Sequence, residues 1–218
     1  MSLDVRMRTV QAGYDALAPR FGEWMARVEG DPWERFVQEL EARLPGGAGV
    51  LDLGCGSGAK TKRLAESFEV VGVDISEEQL GLARAEVPEA RLVQADFAEL
   101  DFPTESFDAV TAFYSIVHVP RAEHPALLRK ILGWLKPGGL FVASLSHVGG
   151  DDRTEKWLGG EMFFSGFDAE TNRRLVREAG FELLVDDLIW MREPEPDGET
   201  SFLWVLGRRR RLEEETGA

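Results

Sequence analysis

Glycines 54, 56 and 58 stand in VLDLGCGSG, residues 50 to 58, where a short apolar run gives way to AKTKRLAES, which has helical character. At a sharp strand-to-helix turn, residues without a Cβ let backbone N–H groups come close to a ligand. Two carboxylates follow at the ends of later apolar runs. Asp74 closes VVGVD, 20 residues after Gly54, a spacing that sets it beside the turn, able to accept hydrogen bonds from a ribose diol. Asp96, in LVQADF, can accept from an adenine amino group while Phe97 packs beside the ring. The glycine spacing departs from the dinucleotide fingerprint G-x-G-x-x-G, because the third glycine falls one residue early and Asp52 precedes the turn. Each feature also has a plain structural reading: a ligand-free tight turn, a helix-initiating aspartate, or a surface loop acid. For Asp74 the cap is already supplied by Ser76.

One further side chain has chemistry to offer. His118 follows the fourth apolar run, and an unperturbed imidazole titrates near working pH, so it is the candidate general base for an acceptor that must lose a proton. Capping its loop or lining the ligand site is the alternative role. His124, before Pro125 at a helix start, and His147, after the fifth run, are weaker candidates.

These residues need a frame, and the sequence describes one. After residue 49, short β-branched runs alternate with helical patterns, the signature of βαβ units and a mostly parallel sheet. Strands are expected at 50–53, 70–74, 91–95, 108–113 and 140–146. Ser76 with Gln79 three residues on forms a capping box for a helix reaching about Val87 before Pro88. Another helix fills 121–135 and stops at Lys136, Pro137, Gly138 and Gly139, and a third runs from an Asp168 cap to Gly180. Residues 181–190, a turn in EPEPDGE, and residues 201–207 read as a closing antiparallel strand pair. Residues 1–45 read as a helical cap with a fresh start at Asp31, Pro32 and Glu34. Residues 46–210 form the core, with an acceptor-side insertion at 148–167, all within one domain of 218 residues.

Bulk properties narrow the partners. The formal charge of −14, from 39 acidic against 25 basic residues, opposes a nucleic-acid or membrane partner. The basic run Arg208 to Arg211 leads straight into Glu213, Glu214 and Glu215, and reads as a solvated strand end. A single cysteine, Cys55, excludes an internal disulfide and offers no metal cluster, so no metal is expected. The first residues lack an apolar h-region and no run is long enough to span a bilayer, which gives a cytoplasmic expectation.

Together these motifs resemble the class I S-adenosylmethionine-dependent methyltransferases, in particular their small-molecule branch. The matches are VLDLGCGSG, VVGVDIS, VQADF, SFDAVTAFYSIVHV and LKPGGLFVAS, in that order, with the likeness spread over roughly residues 10 to 207. The resemblance implies a Rossmann-like α/β fold: a seven-stranded, mostly parallel sheet with an antiparallel last strand, helices on both faces and an N-terminal helical cap. It implies S-adenosylmethionine as cofactor, with Gly54, Cys55, Gly56 and Gly58 around its methionine portion. Asp74, with Ile75 and Gln79 beside it, would hold the ribose, and Asp96 and Phe97 the adenine. YDALAPRF, residues 14 to 21, is similar to the Tyr-Asp helix that caps the cofactor in many members, which carries Tyr14 over as a contact; where the family often has a second tyrosine this chain has Phe21.

The activity so implied is in-line transfer of a methyl group to a small molecule, assisted by alignment and exclusion of water. The faces of Tyr14, Phe113 or Tyr114 would steady the departing positive charge, worth about 0.5 to 2 kcal/mol each. The segment 154–171 concentrates Trp157, Met162, Phe163 and Phe164 among glycines, as a mobile aromatic wall over an acceptor pocket would, and favours an apolar or aromatic acceptor. Packing under the N-terminal cap is the alternative for these residues, and Arg153, Glu155, Lys156 and Glu161 are the alternative means of orienting a charged acceptor. A nicotinamide-dependent oxidoreductase and a non-catalytic cofactor-binding module are the rival functions.

Overall fold

Runs of Val, Leu and Ala with little alternation become strands buried on both faces, as parallel sheets require. In the computed structural model, which describes residues 3–194 and 198–211, the runs form β1 (Gly49–Leu53), β2 (Glu69–Asp74), β3 (Arg91–Gln94), β4 (Phe107–Ala112) and β5 (Leu135–Leu145). All five are parallel neighbours in the order β3-β2-β1-β4-β5. The sheet is completed by β8 (Phe181–Glu193) and β9 (Gly198–Arg209), with β9 antiparallel between β5 and β8. This is the seven-stranded sheet with a reversed last strand that the resemblance implies.

Strand alternation divides the interior into two layers. Leu51, Leu53, Phe141 and Ala143 face α5 (His124–Trp134) and α6 (Ala169–Glu178), packing on Leu127, Ile131, Leu175 and Val176. Val50, Val70, Val142 and Trp204 face the other way, onto Phe36, Val37 and Leu40 of α2 (Trp33–Glu41) and Leu64 of α3 (Ala59–Ala65). The caps form, but the capping box only by half: the Ser76 hydroxyl accepts from Gln79 N–H at 3.1 Å to start α4 (Glu77–Glu86), while Ser76 N–H donates to Asp74 and the Gln79 side chain makes no return bond. Asp168 accepts from Thr171 N–H to start α6.

The N-terminal cap is α1 (Leu3–Met25) followed by α2, with Gly30 in the left-handed region between them. Residues 121–123 form a 3₁₀ turn ahead of α5. The stretch 148–167, expected as an acceptor-side insertion, is an antiparallel hairpin of β6 (Gly150–Trp157) and β7 (Gly160–Gly166). Its turn places Leu158 at φ 48° and Gly159 at φ 86°, as a primed two-residue turn needs, without the Asn-Gly signal that advertises one. The charged sequence of β6, exposed along most of its length, also hides the period of two. Val10 and Leu17 of α1 pack on Met162 and Phe163 of β7, so cap and hairpin form one apolar cluster.

The basic strand end is partnered, with Arg208 donating to Glu182 and Arg209 to Glu105. Residues 195–197, at the centre of the expected EPEPDGE turn, and Glu213 to Glu215 lie outside the described residues. No helix among the described residues is long and apolar enough to cross a membrane, and among them no three His, Cys, Asp or Glu gather as metal ligands.

Candidate active site

The three glycines of the turn do three different jobs. A Cβ on Gly54, at φ 77°, would stand 2.4 Å from Cβ of Ser115, so the turn after β1 presses on the loop after β4. Gly54 and Cys55 N–H both donate to the Val73 carbonyl, at 2.7 and 3.0 Å, which ties the turn to the end of β2. Gly56 N–H donates to Asp74 Oδ2 at 2.8 Å. Gly58 faces inward, where a Cβ would meet Cα of Ala83 at 3.0 Å; its job is to let α3 pack on α4.

Asp74 is thereby held from both sides, its other oxygen accepting from Ser76 N–H at 2.9 Å. Burial, only partly offset by these backbone donors, raises its pKa to about 6. The Cys55 thiol is buried and pushed up by that burial and by Asp74 and Asp52, which makes it a packing residue and no nucleophile.

These groups open onto a cavity of about 460 Å³ that follows the strand order. Asp96 and Phe97 line it after β3, Asp74 and Ile75 after β2, Gly54 to Ser57 after β1, and Phe113, Tyr114, Ser115 and His118 after β4. Tyr14 closes it from α1. Gln79 is enclosed behind Gly56 and absent from the wall, as is Gly58.

Several lining groups have no local sequence signal. Arg6, on the first turns of α1, forms an ion pair with Asp96 in which each side chain is 3% exposed, while Asp96 also accepts from Ala98 N–H at 3.0 Å. Lys60 on α3 lies over the rings of Tyr114 and Trp33, at 5.2 and 5.7 Å, and burial lowers its pKa. Asp31 and Asp52 pull on Lys60 in the opposite sense. Tyr114, at φ 58° in the left-handed region, is locked by its O–H to Asp31 at 2.5 Å and its N–H to Ser144 Oγ at 2.6 Å. The Ser115 hydroxyl on the same wall is buried without a hydrogen-bond partner.

His118 has a definite tautomer by elimination. Its Nδ1 lies 2.7 Å from the Phe163 carbonyl, which only accepts, so Nδ1 carries the proton and Nε2 offers a lone pair. Tyr14 O–H donates to that lone pair at 2.9 Å. Burial lowers the imidazole pKa to about 4 and raises that of the Tyr14 hydroxyl. The pair is therefore neutral at physiological pH, and both residues lie on the cavity wall.

A second cavity, about 320 Å³, shares Tyr14, Phe21, Met25, Tyr114 and His118 with the first. Beyond that common wall it is lined by Trp24, Trp157, Phe164 and Phe202, and by His147 and Ser201, whose Nε2 and Oγ are 2.8 Å apart. Trp157 and Phe164 thus reach the cavity expected for an acceptor, whereas Met162 and Phe163 are buried against α1. A Cβ on Gly13 would fall 2.7 Å from Cε of Met162, which measures how closely α1 sits on the hairpin.

Comparison with known proteins agrees with this arrangement. A family described as a methyltransferase domain matches residues 50–139, from β1 into β5. The chain is 32% identical over 211 residues to a demethylmenaquinone methyltransferase of Renibacterium salmoninarum, covering 94% of this chain and 84% of that protein. It is 33% identical over 199 residues to a 27-O-demethylrifamycin SV methyltransferase of Amycolatopsis mediterranei, covering 78% and 72%. Among solved structures, 1,6-didemethyltoxoflavin-N1-methyltransferase of Burkholderia thailandensis, bound to 1,6-didemethyltoxoflavin and S-adenosylhomocysteine, aligns with a TM-score of 0.74. That alignment covers 96% of this chain and 91% of the other at 21% identity, a likeness of fold.

Proposed function

The chain belongs to the class I S-adenosylmethionine-dependent methyltransferases, and from that premise we propose that it transfers the methyl group to a small molecule held in the second cavity, with Tyr14 and His118 at the point of transfer. Membership displaces the nicotinamide-dependent oxidoreductase as a rival. The observation that carries the proposal is the wall common to both cavities. A cofactor lying along the first and an acceptor in the second would meet at Tyr14, Phe21, Met25, Tyr114 and His118.

The residues present fit the cofactor. Gly54 lets the turn close onto Ser115 at the cavity wall, and the Ser115 hydroxyl there is a buried polar group in want of a partner. Asp74 would take the ribose diol, Asp96 and Phe97 the adenine, and the turn at Gly54 to Gly56 the methionine portion. Lys60 supplies a cation for the carboxylate of that portion, since no ion pair engages it among the described residues. In the wider reading, residues 1–218 work as one unit in which α1 and α2 cap the site and residues 148–167 form its acceptor side.

When bound, S-adenosylmethionine supplies a methyl carbon that bonds to the acceptor lone pair as the carbon–sulfur bond breaks, leaving the electron pair on sulfur. The protein contributes alignment and exclusion of water by α1. Tyr14 and Tyr114 line both cavities, beside the proposed transfer point. An acceptor proton passes to the Tyr14 oxygen as the Tyr14 proton moves to His118 Nε2. A base as weak as this imidazole suffices, because an acceptor becomes strongly acidic only as its new bond to carbon forms.

Calorimetry with S-adenosylhomocysteine and, separately, NAD tests the binding half, with binding expected only for the first. Incubation with methyl-labelled cofactor and fractionated metabolites tests the transfer half. Label is expected in a small molecule, at rates reduced about 10²-fold or more in His118→Gln. Cofactor binding with neither demethylated product nor labelled acceptor would favour the non-catalytic module.

A further inference from the structure

The second cavity separates its apolar and polar groups. Its sides are aromatic, with Trp157 edge-on to Trp24 at 5.6 Å and to Phe164 at 5.9 Å. Among its polar groups are two hydrogen-bonded pairs. One is the Tyr14 and His118 pair, after β4; the other is the His147 and Ser201 pair, on β5's outgoing loop and on β9. β4 and β5 are neighbours in the sheet, and both pairs line the same cavity, so a planar aromatic molecule lying between them would present one substituent to each.

Charge excludes one class of occupant. Arg153 is the one Arg or Lys among the described lining residues, and it is engaged by Glu155 at 3.1 and 3.4 Å and by the Phe164 ring at 5.6 Å. Glu193 adds a further carboxylate to the wall. A carboxylate or phosphate acceptor would have to compete with Glu155 for the one guanidinium and would face the carboxylates of Glu155 and Glu193, which disfavours it against an uncharged one. Lys60 lines only the other cavity.

We propose that the acceptor is an uncharged planar aromatic molecule with a hydroxyl at one edge, the oxygen that is methylated, and a second oxygen or nitrogen substituent at the opposite edge, bound by His147 and Ser201. The proposal rests on the assignment of Tyr14 and His118 to the point of transfer. The hydroxyl proton leaves through Tyr14 to His118 Nε2 and then to water, while the oxygen gains the methyl carbon and sulfur keeps the electron pair of the broken bond.

Three matched probes test it: 4-methoxy-1-naphthol, 1-naphthol and 4-hydroxy-1-naphthoate, each titrated into the full chain saturated with S-adenosylhomocysteine and each assayed with methyl-labelled cofactor. The methoxy compound is expected to bind about tenfold more tightly than 1-naphthol, the worth of one hydrogen bond. The naphthoate is expected to bind weakest, about 100-fold below the methoxy compound. His147→Ala and Ser201→Ala are each expected to erase the methoxy advantage while S-adenosylhomocysteine affinity stays within about twofold. Preference for the naphthoate, an unchanged methoxy advantage in both variants, or no binding of any probe to the loaded chain overturns the inference. Failure of S-adenosylhomocysteine itself to bind overturns the reading beneath it, so the two failures are told apart.

Discussion

Strand-end backbone and short carboxylates make the cofactor cavity, whereas long side chains from α1, the β6–β7 hairpin and the β8–β9 pair make most of the acceptor cavity. In the first, geometry is fixed by the sheet: Asp74 and Asp96 sit at the ends of paired parallel strands, and Gly54 is tied to Val73 across β1 and β2. In the second, Trp24, Trp157 and Phe164 hold one another, and the hairpin that bears two of them is a separate two-stranded sheet resting on α1. On the proposed reading, the cofactor would be held largely by backbone that tolerates almost no change, and the acceptor by side chains that can be exchanged. Substitutions should therefore divide sharply between the two cavities.

The largest effect is expected at Gly54. Alanine there must both hold a left-handed φ of 77° and displace Ser115, since the added Cβ falls 2.4 Å from Cβ of that residue. Loss of S-adenosylhomocysteine affinity by about 100-fold or more is expected from calorimetry, with a clear fall in melting temperature. Adding Ser115→Gly should restore only part of the affinity, because it removes the collision and leaves the φ strain. Full-strength binding by Gly54→Ala would mean that the turn is no cradle.

Asp74 comes next and carries a pH signature. Its carboxyl is raised to about 6 by burial, so S-adenosylhomocysteine affinity should fall as pH drops below about 6, approaching tenfold per unit. Asp74→Asn should bind at least about tenfold more weakly at pH 7.5 and lose that dependence. For stability of the free chain the signs of Asp74 and His118 oppose. A carboxyl raised on folding favours the folded state below its unfolded value of 3.8, a contribution lost as pH rises through 6. An imidazole lowered from 6.5 to about 4 contributes above 6.5, and that contribution is lost as pH falls toward 4. Chemical denaturation of Asp74→Asn and His118→Gln between pH 4 and 8 should thus change the slope of stability against pH in opposite directions, each by on the order of 2 kcal/mol across the range.

The same division governs how far the chain could be read before its structure. The glycine turn and Asp74 were readable because a strand end, a tight turn and a helix start impose residue types at fixed spacing, and the sheet followed from its apolar runs. Gly58 and Gln79 share that local signal yet face inward, since spacing marks where a turn bends without saying which side meets ligand. Lys60, Asp31 and Arg6 gave no signal, because their role depends on α1 and α2 folding back over the sheet. Met162 and Phe163 pointed to the right hairpin and the wrong face: with β7 unrecognised, alternation could not separate them from Phe164. A smaller effect tests that side, with Trp157→Ala expected to raise KM for the acceptor about tenfold and leave S-adenosylhomocysteine binding within about twofold. Equal damage to both would mean that the hairpin supports the cofactor site as well.

The smallest expected effect concerns Lys60, a long side chain on the wall of the first cavity. Its ammonium lies over Tyr114 and Trp33 with Asp31 and Asp52 nearby, and burial makes it easier to deprotonate than a surface lysine. A ligand carboxylate brought to it would restore its charge and gain a charge-assisted hydrogen bond. Lys60→Met keeps the stem over the rings and removes only the charge. S-adenosylhomocysteine should then bind about five- to tenfold more weakly, as loss of one partly solvated charged hydrogen bond requires, while 5′-methylthioadenosine, which lacks the amino-acid portion, should be unaffected. Equal weakening of both ligands would assign Lys60 to the packing of Trp33 and Tyr114 instead, and the cofactor cavity would then recognise its ligand by backbone and carboxylate alone.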